Sequence, residues 1–207
     1  FILDTAANYL TRPPKRSDVL SVFAGLRPLA APRSEGKKTK EISRSHKLIR
    51  EKSGLITIIG GKWTTYRKMA QDTLDLAIRY MHIPTKDCIT ERYQIHGSRK
   101  NPDFSDPLYV YGTDADEIRN LVASSPAMAE KLHPDYEVTW LVRNEMPRTL
   151  EDVLARRLRI LFLDARAAMA MAPKVAGILA TEWGKDETWT SAQVKAFNEV
   201  ASNYILN

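Results

Sequence analysis

The chain has 207 residues, 43% of them hydrophobic and 27% charged, which suits a folded globular protein and excludes a fibre or a disordered tract. No apolar run reaches the roughly 18 residues of a membrane-spanning helix. The net charge of +6 is uneven: residues 1 to 100 hold 20 Lys and Arg against 9 Asp and Glu, and the remainder hold 11 against 16.

The basic half suggests an anionic partner: a phosphorylated small molecule, nucleic acid or an anionic membrane surface. A solvated basic face is the plainer alternative. The opening FILDTAANYL has neither a basic leader nor an initiator methionine, so the chain reads as a piece of a longer protein. Cys88 is the single cysteine, which excludes an intrachain disulfide and reads as a buried or incidental thiol.

Residues 1 to 10 form a short apolar-faced helix that Thr11-Arg12-Pro13-Pro14 ends. Ser17 to Pro28 reads as an extended strand delivering Arg27 at its end, and residues 30 to 45 as a polar basic loop. Two short strands follow, His46 to Arg50 and Leu55 to Ile59, joined through Lys52-Ser53-Gly54. Tyr66, Met69, Ala70, Thr73, Leu74, Ala77, Ile78 and Met81 then recur at helical spacing, while Arg67, Lys68, Gln71, Asp72, Asp75 and Arg79 face away. His82-Ile83-Pro84 closes this helix, and a connector with a short strand at Tyr93 to His96 leads to a domain boundary between residues 95 and 105.

Beyond the boundary the chain reads as helices: Asp114 to Ser124, Tyr136 to Met146, and Leu150 to Leu163. Thr149-Leu150-Glu151-Asp152 opens the last of these as a capping box with Asp for Glu. Pro173 suits the first turn of a further helix that ends at Trp183-Gly184, and a final helix carries Trp189, Phe197 and Tyr204.

The densest local signal is IGGKWTTYRKM, from Ile59 to Met69. A strand ending in Gly60-Gly61 lets a ligand approach the backbone, and the following helix offers unpaired amides and a positive dipole end. Lys62 adds charge, and Thr64 and Thr65 add hydroxyl donors. A tight turn is the bland alternative. The motif is neither a P-loop nor GxGxxG. Arg27 and Arg44 could converge here, since two arginines and a lysine suit a phosphate or carboxylate. The four histidines are too widely spaced for a metal motif, and the basic run from Lys37 to Lys52 lacks aromatic residues for base stacking, so neither metal nor nucleic acid is expected.

SVFAGLRPL, SRSHKLI and LITIIGGKWTTYRKMAQDTLDLA resemble, in that order, the C-terminal half of the FAD-dependent, quinone-linked glycerol-3-phosphate dehydrogenases. YEVTWLVRNEMPRTLEDVLARRLRILFLDARAA is similar to the helical C-terminal domain of the same family. The family's N-terminal GxGxxG unit is absent. The resemblance implies an α+β chain: a remnant of a mixed FAD and substrate domain over residues 1 to 98, then an all-α domain over residues 99 to 207.

It implies oxidation of sn-glycerol 3-phosphate to dihydroxyacetone phosphate, with hydride passing to FAD and electrons to quinone at a membrane. Gly60, Gly61, Lys62, Trp63, Thr64 and Thr65 would then serve FAD, near its N1 and C2 carbonyl. Arg27, Arg44 and Lys62 would be catalytic, and Arg27, Arg44 and His46 would bind substrate, with His46 a candidate base. Arg156, Arg157 and Arg159 are expected at the surface or in salt bridges. A cytoplasmic location on the inner face of the cell membrane and a possible homodimer complete the expectation, and the isolated piece is expected to be inactive. An oxygen-using glycerol-3-phosphate oxidase and a non-catalytic basic interaction module stand as alternatives.

Overall fold

The computed structural model describes residues 1 to 26, 45 to 123 and 134 to 206. Arg27, Arg44 and most of the basic loop lie outside these residues. In chain order the regular elements are α1 (Ile2–Ala7), β1 (His46–Arg50), β2 (Ile56–Gly60), α2 (Tyr66–Met81), α3 (Ala115–Ala123), α4 (Pro134–Asn144), α5 (Ile160–Leu163), α6 (Ala165–Trp183) and α7 (Glu187–Ser202). The chain separates into two compact units, one formed by Phe1–Ala24 with Gly97–Asn207 and the other by Gly25–His96.

The helical unit holds all the buried hydrophobic residues described. Val138, Leu150, Val153, Leu154, Leu161, Leu179 and the alanine row Ala165, Ala168, Ala172 and Ala176 have no exposed surface. Each large side chain so buried contributes about 1.5 to 3 kcal/mol relative to exposure. The helix ends are capped as physics requires: the Asp164 carboxylate accepts from the Ala167 amide and the Asp186 carboxylate from the Trp189 amide. Gly184 ends α6 in the left-handed conformation at φ 61. The capping box at Thr149 and Asp152 forms in both directions, with Asp152 N donating to Thr149 Oγ1 at 3.1 Å and Thr149 N to Asp152 Oδ2 at 3.0 Å.

Four local expectations require correction. Ser17 to Pro28 reads as a strand, but its described part has only a 3-10 turn at Arg16–Asp18 and then an irregular extended run. That run is held by the helices instead: Ala165 N donates to Leu20 O, Val22 N to Tyr204 O and the Ser21 hydroxyl to Leu161 O, while Phe23 meets Phe162 edge-on at 5.0 Å. The helix expected over Leu150 to Leu163 is broken, because a π-helical stretch at Asp152–Arg157 gives way to a left-handed Arg159 at φ 59 before α5. Pro173 sits inside α6 rather than in its first turn. Tyr93 to His96 forms no strand.

The smaller unit is a hairpin with one helix. β1 and β2 pair antiparallel, His46 opposite Gly60 and Arg50 opposite Ile56. The turn is closed by Gly54 N to Glu51 O at 3.0 Å and Glu51 N to Leu55 O at 2.9 Å. Its left-handed position, φ 91, is given to Gly54. Arg50 lays its guanidinium 3.7 Å over the Tyr80 ring. α2 packs on β2 and ends at a left-handed His82, whose φ is 52.

No described residue of this unit is buried, and Leu55, Trp63, Leu74, Met81, Ile89, Tyr93 and Ile95 are each more than half exposed. A two-stranded sheet with a single helix is marginal alone. Among the described residues, no helix is long and apolar enough to cross a membrane.

Candidate functional site

The site is built at the end of β2. Gly60 and Gly61 both take positive φ, 74 and 81, which turns the chain out of the strand without a Cβ penalty. At Gly61 a Cβ would stand 2.5 Å from Met69 Sδ and 3.2 Å from His46 Cβ. Packing thus explains this glycine directly: the strand end closes onto α2 and β1. Lys62 is extended, and Trp63–Thr65 form one 3-10 turn that leads into α2.

The Thr65 hydroxyl is engaged in that turn, donating to Lys62 O at 2.9 Å and accepting from Lys62 N at 3.3 Å. The amides of Trp63 and Thr64 open the turn and have no acceptor among the described residues. Lys62 and Thr64 are exposed. Trp63 is 86% exposed and stacks on Tyr66 at 5.6 Å and 27°. An exposed ammonium, two open amides and an aromatic plane form a donor set that fits a planar group with an electron-rich edge.

His46 joins this junction through the hairpin register. Its Nε2 lies 2.9 Å from Asp72 Oδ2, and Lys68 Nζ lies 2.8 Å from Asp72 Oδ1. The Lys68 hydrogen bond holds the Asp72 carboxyl below its ordinary value; desolvation opposes this, and the His46 contact adds to it. Asp72 in turn raises Lys68. Sequence periodicity turns Asp72 and Lys68 toward solvent; the Lys-Asp spacing of four on one helix is visible there, but the strand that delivers His46 to them is not.

On the same helix Arg67 reaches Gln71 at 3.0 Å, Thr90 at 3.1 Å and Glu91 at 3.3 Å. Cys88 is exposed, so of the two readings of this thiol the buried one fails; hydrogen bonds with Thr90 hold it below its ordinary value, desolvation opposes this, and the Arg67 charge adds to it. Among the described residues, no cluster of His, Cys, Asp and Glu could hold a metal. In the helical unit Arg156 pairs with Glu151 and Asp152, and Arg157 with Glu145.

The fold and the junction define a class: a mostly helical α+β chain in which a two-stranded hairpin ends in paired glycines and a lysine before a helix, followed in sequence by further helices. The family model described as the C-terminal domain of alpha-glycerophosphate oxidase matches residues 55–190, and the chain belongs to that family. Similarity extends almost end to end. The mitochondrial glycerol-3-phosphate dehydrogenase SDP6 of Arabidopsis thaliana is 34% identical over 98% of this chain and 40% of its own length. A probable mitochondrial glycerol-3-phosphate dehydrogenase of Caenorhabditis elegans is 35% identical over 99% of this chain and 31% of its own. The mitochondrial enzyme of Mesocricetus auratus is 31% identical over the same shares.

The chain thus spans between 31% and 40% of the length of these curated relatives. Their mitochondrial names overturn the expected cytoplasmic location on the inner face of a cell membrane.

Proposed function

We propose that this chain is the C-terminal portion of an FAD-dependent glycerol-3-phosphate dehydrogenase that oxidises sn-glycerol 3-phosphate to dihydroxyacetone phosphate. The observation that carries this reading is the Gly60-Gly61-Lys62 junction, with its exposed lysine and open amides, in a chain similar over nearly all its length to glycerol-3-phosphate dehydrogenases. FAD, when bound, supplies a hydride acceptor that can pass electrons on to quinone.

The chain's own residues hold and polarise. The Trp63 and Thr64 amides and Lys62 stabilise negative charge at the flavin edge, with Gly60, Gly61 and Thr65 fixing the turn that aims them. Arg27 and Arg44 hold the substrate phosphate as bidentate donors, and His46 lies beside the reacting alcohol. Of the division expected at residue 98, Gly25–His96 then count as the FAD and substrate part, and Gly97–Asn207, with Phe1–Ala24 packed into the same unit, as the helical part. The hairpin edges, unpaired among the described residues, and the exposed apolar residues of the smaller unit support a place within a larger sheet.

The test uses the full-length protein that carries this chain. It is expected to purify with bound flavin and to reduce a soluble quinone on addition of glycerol 3-phosphate. Absence of flavin after reconstitution, or no substrate-dependent reduction of any acceptor, overturns the proposal. The family description as an oxidase keeps oxygen as a second acceptor. Oxygen uptake as fast as quinone reduction would favour that reading.

A further inference from the structure

We propose that Asp72 is a positioning residue that holds His46 as its Nε2–H tautomer and so leaves Nδ1 as the ring's proton acceptor. Two groups share one carboxylate. Lys68 occupies Oδ1 at 2.8 Å, and His46 Nε2 meets Oδ2 at 2.9 Å. An ionised carboxylate can only accept, so Nε2 must carry the hydrogen, and a neutral ring then has its lone pair on Nδ1.

The placement is specific to the junction. His46 pairs with Gly60 across the hairpin, and its Cβ lies 3.2 Å from where a Cβ on Gly61 would stand. Nδ1 is the ring nitrogen on that Cβ side. Lys68 keeps the carboxylate charged and turned, and Asp72 and Lys68 both issue from α2, whose start carries the proposed flavin contacts. The ring is partly enclosed, with 22% of its side chain exposed, and Asp72 with 29%. These contacts restrict the ring more than an exposed histidine would be restricted.

The role of Nδ1 rests on the function proposed above. Oxidation of a secondary alcohol removes one proton from oxygen and one hydride from carbon as the carbonyl forms. The proton goes to Nδ1, and the hydride is the flavin's to accept. The tautomer itself does not depend on that reading.

Selective 15N-histidine labelling of the full-length protein tests it, with the His46→Gln spectrum assigning the ring. Above the titration range of the imidazole, the wild-type protein is expected to show a protonated Nε2 and an unprotonated Nδ1 in one dominant form. Asp72→Asn, whose amide can also donate, is expected to give a mixture of both tautomers. A wild-type ring already mixed, or protonated at Nδ1, overturns the inference whatever any variant does. So does an unchanged tautomer in Asp72→Asn.

Kinetics separate this from the functional reading. Asp72→Asn is expected to lower kcat about 10-fold or more with KM little changed, and Asp72→Glu to recover part of it. In the His46→Gln background Asp72→Asn is expected to cost little more. Wild-type protein inactive on glycerol 3-phosphate with the expected tautomer sinks the function alone. An active enzyme with the wrong tautomer sinks the positioning role alone.

Discussion

At the scale of single residues, the junction asks different things of neighbouring positions. Lys62 is the exposed cation in an extended backbone, so its removal disturbs little of the fold. In the full-length enzyme Lys62→Ala is expected to lower kcat/KM about 100-fold, the scale of losing a charged donor, while flavin content and thermal midpoint stay near wild type. Arginine should restore only part, because its planar fork spreads the charge that the ammonium concentrates. Equal kinetics for wild type and Lys62→Ala would remove this residue from the site.

Gly61 answers to packing and backbone alike. Its φ of 81, and the 2.5 Å that would separate an added methyl from Met69 Sδ, make Gly61→Ala costly by about 1 to 3 kcal/mol. Because the thioether can swing aside, Met69→Ala in the same chain should restore only the part due to contact. A urea titration followed at Trp63 reads both variants, and an unshifted midpoint in Gly61→Ala would show that the strand end relaxes freely.

At the scale of elements, what is legible in the sequence depends on whether a segment's reasons are local. The hairpin from His46 to Gly60 and the helix from Tyr66 to Met81 follow from a glycine turn and from periodicity, and both form where expected. The Thr149–Asp152 box is equally local. Asp152 accepts from the Arg148 and Thr149 amides, and these bonds with the Arg156 charge outweigh desolvation, leaving its carboxyl below the ordinary value. A folded-state pKa below the unfolded one stabilises above the unfolded pKa and is lost as pH falls through the folded one. Asp152→Ala should therefore cost about 1 kcal/mol at neutral pH, with the gap to wild type closing in acid. A gap that does not shrink would assign the effect to packing.

The segment from Ser17 to Leu26 misleads because its Ser21 hydroxyl, Val22 amide and Phe23 ring meet Leu161, Tyr204 and Phe162, all more than a hundred positions away, information no window contains. Arg159 carries no local signal for a left-handed turn either. Likewise GGKWTT shows in the sequence where a strand turns into a helix, yet the Asp72 contact to His46 needs the hairpin register to be seen.

At the scale of the whole molecule, burial is divided very unequally between the two units. The helical unit has a core of leucines, valines and alanines with no exposed surface, whereas the described residues of Gly25–His96 include none that are buried. Leu74, Met81, Ile89, Tyr93 and Ile95 are apolar side chains left in water, and the hairpin pairs with no third strand among the described residues. Protection of backbone amides follows buried contacts, so the two units should open with very different free energies.

In hydrogen exchange of the 207-residue chain, amides in α6 and α7 are expected to exchange slowest, and those of β1, β2 and α2 at least about 100-fold faster. In the full-length protein the helical amides should change little. The hairpin and α2 should slow to match them, because the sheet edges and the exposed apolar side chains then have a partner. Glycerol 3-phosphate should slow the Gly60 to Thr65 amides further if the site stands at that junction. Equal protection of both units in the 207-residue chain would mean that the hairpin and helix are stable without added cover, and would remove the argument for a larger sheet.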